Sequence, residues 1–171
     1  MSIPGVTLTD SIAIPPVTPI VPEVPAPPVN TTPVTILSVT DSNNDGHLPE
    51  LTLDGSLTDE SRWSANFLSG QTYSWIQYKL DRNIEFSSIG IAFFKGDVRK
   101  TKFDVFASLN GTDWTLVHST SSSGSASGVE TFNFEKVIAS HVRIQGYGNS
   151  SNTWTSIIEV NIPNVDKSSW E

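Results

Sequence analysis

The sequence predicts an all-β fold, an antiparallel β-sandwich or jelly roll of about eight strands, preceded by an extended proline-rich N-terminal arm. Three observations lead there. From Thr35 onward apolar residues recur with period two, in short β-branched runs separated by turn residues. No stretch carries the apolar period of an amphipathic helix of useful length. Nine of the eleven prolines fall within the first 33 residues, where a fixed φ and a missing amide donor exclude both helix and central strand.

Strands are predicted near 35–39, 75–80, 86–94, 102–109, 114–118, 129–134, 141–146 and 156–162. Asn110-Gly111-Thr112-Asp113 is a hairpin signal, because Asn-Gly tolerates the positive φ values of a tight two-residue turn. Residues 121–128 form a Ser/Gly loop that packs little. The chain therefore divides into an arm at 1–33, a sandwich at 34–163 and a C-terminal tail at 164–171. The arm reads by composition as a spacer between domains. Its Val and Ile alternate with Pro, where a flexible linker would use Gly, Ser and charge, which favours an arm lying on a neighbouring protein.

The 171 residues accommodate one ordinary domain plus a tail, and five Trp, eight Phe and three Tyr are ample for an all-β core. With no cysteine, a disulfide framework, a thiolate metal site and a thiol nucleophile are all excluded. A net charge of −8, with no Lys or Arg before Arg62, argues against a nucleic-acid partner. No secretory signal is recognised, and no window reaches the length of a membrane span, so membrane insertion is not expected.

The order of the pieces resembles the discoidin domain, also called the factor V/VIII C-type domain, and within it the family 32 carbohydrate-binding modules. The residues carrying the resemblance are Leu53-Asp54-Gly55, Ser61-Arg62-Trp63-Ser64-Ala65, Trp75-Ile76-Gln77-Tyr78, Ile91-Ala92-Phe93-Phe94-Lys95-Gly96-Asp97, Phe103-Asp104-Val105, Ser108-Leu109-Asn110-Gly111-Thr112-Asp113-Trp114, Val142-Arg143-Ile144 and Glu159-Val160. Lys95-Gly96-Asp97 and Gly146-Tyr147-Gly148-Asn149-Ser150 are similar to the subgroup found beside alginate lyases. The resemblance covers residues 43–162 and leaves out the arm.

It implies a structural Ca²⁺, tying the first loop to the last strand through the carbonyls of Leu51 and Ser56, the Ser61 hydroxyl and the carboxylates of Asp54 and Glu159. An all-oxygen set with two negative charges suits calcium better than a transition metal. Ser56 stands where the usual pattern has a second acid, and Asp59 or Glu60 in the lengthened loop is a candidate to restore that charge. The competing reading is a plain Asp-Gly turn without an ion.

For a ligand, Lys95, Arg99, Lys100 and Lys102 concentrate four of the ten basic residues in one segment, suited to the carboxylates or sulfates of a polysaccharide. The resemblance gathers Lys95, Asp97 and Arg99 with Tyr147, Asn149 and Trp154, and with Asn43, Asn44 and His47, at one end of the sandwich. An aromatic face beside Asn and Arg donors can stack on a sugar ring and bond its hydroxyls. A solvated turn with surface charge is the plainer alternative. Trp63, Trp75 and Trp114 are expected in the core, Trp154 at the ligand, and Trp170 either docked or frayed.

No nucleophile motif accompanies His47, His118 or His141, and the family binds without catalysing, so an enzyme is not expected. The leading expectation is a non-catalytic carbohydrate-binding domain held on a larger assembly by its arm. A virion appendage or decoration protein fits a chain that starts at its own Met and ends soon after the last predicted strand; polysaccharide would be one partner and protein subunits the other. The location is then extracellular or on a virion surface. The alternatives are a module of a secreted polysaccharide lyase or hydrolase, and a structural protein without sugar binding.

Overall fold

The computed structural model describes residues 32–171, so the arm expected over residues 1–33 lies, up to Thr31, outside the described residues. Among the described residues eight strands form: β1 (Val34–Asp41), β2 (Trp63–Ala65), β3 (Ser74–Phe93), β4 (Thr101–Ser108), β5 (Thr115–Ser121), β6 (Glu130–Asn149), β7 (Thr155–Asn161) and β8 (Val165–Asp166). All pair antiparallel except β1 with β8. The all-β antiparallel sandwich is as the sequence predicts.

The strands are distributed differently from the prediction. The expected strands at 75–80 and 86–94 are two halves of the 20-residue β3, and those at 129–134 and 141–146 are two halves of the 20-residue β6. β3 and β6 pair from Ser74 opposite Gly146 to Ile91 opposite Glu130, with register shifts between Lys79 and Ile84 and between Phe86 and Ser88. Irregularities of this kind bend a strand and let it pass from one layer to the other. The first half of β3 pairs with β1 and the second half of β6, which also carries β4 and then β5. The second half of β3 pairs with the first half of β6 and with β7, which carries β2.

The polar run Asp81-Arg82-Asn83 looks like a turn in sequence. In the fold it sits on the bend, where Arg82 bonds Asp81 at 2.9 Å and the Thr32 carbonyl, while Thr35 donates to Asp81 at 3.3 Å. The Asn110-Gly111 connection is likewise wider than a two-residue turn, since pairing stops at Ala107 with Thr115. Gly111 has the positive φ, 78°, but Asn110 instead uses its side-chain oxygen to accept the Thr112 and Asp113 amides, both at 2.9 Å.

Alternation puts Ile76, Tyr78, Leu80, Phe103, Val105, Val142 and Ile144 inward from one layer, against Ile89, Ile91, Phe93, Ile157 and Trp63 from the other. Each side chain buried in this way contributes roughly 1.5–3 kcal/mol. Phe103 bridges the layers, with ring centroids 5.2 Å from Phe93 and 4.9 Å from Phe132.

Two buried polar contacts fix the loop between β1 and β2. The Tyr78 hydroxyl meets Thr52 Oγ1 at 2.8 Å, and Thr52 donates to the Pro49 carbonyl at 2.8 Å, which locks the 3-10 turn Pro49–Leu53 onto the sheet. Burial raises the Tyr78 hydroxyl pKa well above its usual value, so it stays a neutral donor. Trp63 Nε1 donates to Asp41 at 2.8 Å and holds β2 beside the end of β1.

After β7 the chain does not fray. β8 pairs with Val34 and Thr35 of β1, and Trp170 packs against the core while its indole donates to the Ile36 carbonyl at 3.2 Å.

Candidate functional site

The loops entering β2, β3, β4 and β7 meet at one end of the sandwich, and hydrogen bonds lock them together. Asp45 N reaches the Ser64 carbonyl at 3.1 Å, Asn43 Nδ2 the Asn66 carbonyl at 3.0 Å, and Thr153 Oγ1 the Asn66 side chain at 2.7 Å. Ser150 N donates to the Lys100 carbonyl at 2.9 Å, and Lys100 N returns to Ser150 Oγ at 3.1 Å. Phe94 N closes the set on the Ser156 carbonyl at 3.1 Å.

Within this end, three cations surround one ring. The guanidinium of Arg62 lies 4.6 Å from the Phe94 centroid, the Lys95 ammonium 5.3 Å and the Arg99 guanidinium 5.6 Å. The turn that presents them is tight. Gly96 N bonds the Phe93 carbonyl at 3.0 Å, while Val98 N and Arg99 N both bond the Lys95 carbonyl, at 3.0 and 2.9 Å. Lys95 takes φ 52°, a left-handed conformation that a non-glycine residue holds only when its surroundings impose it. Gly96 is required because a Cβ there would stand 2.7 Å from the Ala126 carbonyl oxygen. A cleft of about 410 Å³ opens beside the turn, lined in part by Asp59, Lys95, Asp97 and Val98.

Arg62 is the member that the sequence reading passed over. It precedes Trp63 on β2, donates through Nη1 to the Asp59 carbonyl at 2.5 Å, and has a buried Nε with no hydrogen-bond partner among the described residues. No ion pair joins Arg62, Lys95 or Arg99 to a carboxylate among the described residues. Arg62 also acts on the loop before β2. Burial pushes the Asp45 carboxyl up, but hydrogen bonds from His47 and the charges of His47 and Arg62 outweigh it and leave the pKa lowered.

The structure places the other expected ligand residues as follows. Asn43 is used in holding the loops together, and Asn44 bonds Asp41 at 2.8 Å. His47 Nδ1 is 2.8 Å from Asp45. Asn149 organises its own loop, bonding Asn152 and the Trp154 carbonyl, both at 2.8 Å. The Trp154 side chain is half-exposed.

Tyr147 points elsewhere, because alternation along β6 puts it on the outward face of the sheet. Its hydroxyl donates to Asp104 at 2.5 Å and accepts from Gln145 at 2.8 Å. Burial, with the Asp104 hydrogen bond and charge, pushes its pKa up to about 12. Trp75 and Trp114 are on that outward face too and not in the core, where only Trp63 of the three is fully buried. They sandwich Arg143, whose guanidinium lies 4.6 Å from the Trp75 ring and 4.2 Å from Trp114. The 75–80 and 141–146 alternation that buries Ile76 and Ile144 necessarily turns Trp75 and Arg143 out.

Of the residues expected around a cation, Leu51, Asp54 and Ser61 contact one another, and Glu159 reaches the same turn through Gly55. Gly55 adopts φ 75° in the Asp-Gly turn, and its amide donates to Glu159 Oε2 at 3.2 Å. Ser61 Oγ donates to Asp54 Oδ2 and lies 3.4 Å from the Leu51 carbonyl, while Asp54 Oδ1 accepts the Ser56 amide at 2.9 Å. Glu159 is 2% exposed. Its Oε1 makes no conventional hydrogen bond and is met by the ammonium of Lys167, which also donates to the Val160 carbonyl at 3.3 Å. Burial lowers the Lys167 pKa against the raising effect of Glu171 and Asp54.

An ammonium thus stands on one of the oxygens that the sequence assigned to calcium, Glu159 Oε1, and the all-oxygen donor chemistry fits a hard cation. Among the described residues no three His, Cys, Asp or Glu side chains converge as a metal group, so carbonyl and hydroxyl oxygens would have to complete the shell. Asp59 lines the cleft beside Lys95 rather than this cage.

Comparison with known families matches residues 37–160 to the F5/8 type C domain. The chain belongs to that family. Among solved structures, the family 32 carbohydrate-binding module of AlyQ, in complex with 4,5-unsaturated mannuronic acid, is 38% identical over 73% of this chain and 92% of that one, with a TM-score of 0.68. A longer AlyQ chain, which joins the module to an alginate lyase domain, matches equally well but only over 31% of its length. A pectin-binding module is 30% identical over 77% of this chain and 92% of its own, again with a TM-score of 0.68. Comparison with curated proteins returns no match.

Proposed function

We propose that this F5/8 type C domain is a non-catalytic carbohydrate-binding domain whose ligand is an acidic polysaccharide, held at the Phe94 end of the sandwich. The observation that carries the reading is the group of Arg62, Lys95 and Arg99 around one ring beside an open cleft, on a chain whose net charge is −8. Cations without carboxylate partners are suited to uronate groups, and an aromatic edge with nearby amides suits the sugar ring itself. The ligand named for the AlyQ module and the polymer named for the pectin-binding module are both uronates, which supports the class. Of the expected residues Asp97 lines the cleft, while Asn43, Asn44, His47, Asn149 and Trp154, on the neighbouring loops of the same end, would meet the polymer beyond it; Tyr147, on the outward face, is left out.

A Ca²⁺ held by Leu51, Asp54, Ser56, Ser61 and Glu159 belongs to the same proposal, as a structural ion supplying charge balance to the loop. Attachment to a larger assembly through residues 1–33, with a virion surface or the extracellular space as the location, rests on the composition of that segment. The second reading, a module joined to a polysaccharide lyase, is favoured by the AlyQ chain in which such a module sits beside a lyase domain.

Native affinity gels cast with alginate, pectate or a neutral glucan test the proposal. Retardation by a uronate polymer and none by the glucan is expected. Free migration in all three would leave a structural protein without sugar binding.

A further inference from the structure

Lys167 lies 8 residues beyond Glu159 and is anchored from both sides. Upstream, β8 pairs Val165 and Asp166 with Val34 and Thr35, and downstream Trp170 docks by its indole on the Ile36 carbonyl at 3.2 Å. Between these anchors the Lys167 side chain reaches Glu159 Oε1 and the Val160 carbonyl, and only 17% of it is exposed against 3% for Glu159. The terminal Glu171 carboxylate covers the Asp-Gly turn, so close that a Cβ on Gly55 would meet its Oε1 at 3.4 Å. The 165–171 segment therefore lies against the Asp-Gly turn and puts one positive charge on Glu159.

We propose that Lys167 and a hard divalent cation are alternative occupants of the Asp54–Glu159 cage, so that cation binding expels the lysine and releases residues 165–171 from the domain. The proposal rests on reading the cage as a cation site. An ammonium and a dehydrated Ca²⁺ cannot share Glu159 Oε1 at bonding distance, because both need the same lone pairs and repel each other. The cation's apparent affinity is consequently reduced by the fraction of molecules in which the lysine is seated. Trp170 and β8 lose the tether between them when it leaves. The tail thus tunes how much calcium the domain needs, and it becomes a segment whose order reports on cation occupancy.

Calorimetric titration of the full chain with CaCl₂ tests this, comparing wild type with K167M. K167Q, which keeps a polar head for the Val160 carbonyl, serves should K167M fail to fold. Removing the competitor is expected to tighten Ca²⁺ binding about tenfold. Hydrogen exchange on the wild type should show the amides of Val165, Ser168 and Trp170, bonded to the Ile162 carbonyl, Asp166 and the Lys167 carbonyl, losing protection when Ca²⁺ is added. Equal affinity of wild type and variant overturns the competition while leaving the cation site standing. Unchanged tail protection at saturating Ca²⁺ overturns the release. Absence of binding to both proteins overturns the cage as a cation site and the proposal with it.

Discussion

The Gly55 amide donates to the Glu159 carboxylate at 3.2 Å across 104 residues of sequence, joining the first long loop to the last full strand. Glu159 is almost fully buried there and also carries the charge of Lys167, so it couples the Asp-Gly turn, β7 and the C-terminal segment through one side chain.

Glu159→Ala should therefore destabilise the domain by about 3 kcal/mol, since it strands a buried ammonium and an amide at once. Urea denaturation followed by tryptophan fluorescence measures this. A change below about 0.5 kcal/mol, the range of ordinary surface substitutions, would show that the junction contributes little.

Lys95→Ala with Arg99→Ala should abolish retention by uronate polymers and leave the melting temperature within about a degree, because neither side chain is part of the core. Retention by the wild type should weaken as NaCl is raised, as exposed charge pairs are screened. Unaltered retention of the double variant would remove this turn from the site.

Gly96→Ala separates the turn's geometry from its charges. The added methyl meets the Ala126 carbonyl at 2.7 Å and should cost about 1–3 kcal/mol while also weakening retention, although both cations remain. Retention equal to wild type would mean that the positions of Lys95 and Arg99 are not critical.

His141 gives a pH dependence of stability. Burial, with the Lys79 charge, lowers its folded pKa below 6.5, so the unfolded chain binds the proton more readily. Its contribution is present above pH 6.5 and is lost as pH falls toward the folded pKa. His141→Asn should make the fall in melting temperature between pH 7 and pH 5 shallower than in wild type; an identical slope would place the acid sensitivity elsewhere.

The alternation of β-branched and aromatic residues made the layered fold and most strand positions legible, because burial of one face imposes a period of two. Strand continuity was not legible at Asp81-Arg82-Asn83, where polar residues on a bend between layers look the same as residues in a turn. β2 and β8 escaped because three and two residues show no period. Lys95, Arg99, Asp54 and Glu159 could be named from motif order; the structure brings the first two to the Phe94 ring, and joins Glu159 to the Asp54-Gly55 turn through the Gly55 amide. Arg62 could have been found from its alternation with the buried Trp63, which turns it outward. Lys167 could not, since its partner is chosen by how the segment after β7 folds back and not by any local pattern. Trp75 and Trp114 were misplaced because large aromatics pack as readily against a guanidinium on an outer face as against a core.

The most direct test is an amide NMR titration of the ¹⁵N-labelled chain with unsaturated mannuronate oligosaccharides. Saturable shifts centred on Arg62, Phe94 to Arg99 and the Trp154 loop are predicted. Shifts confined to the outward face around Trp75, Arg143 and Trp114, or none at millimolar sugar, would contradict binding at the Phe94 end.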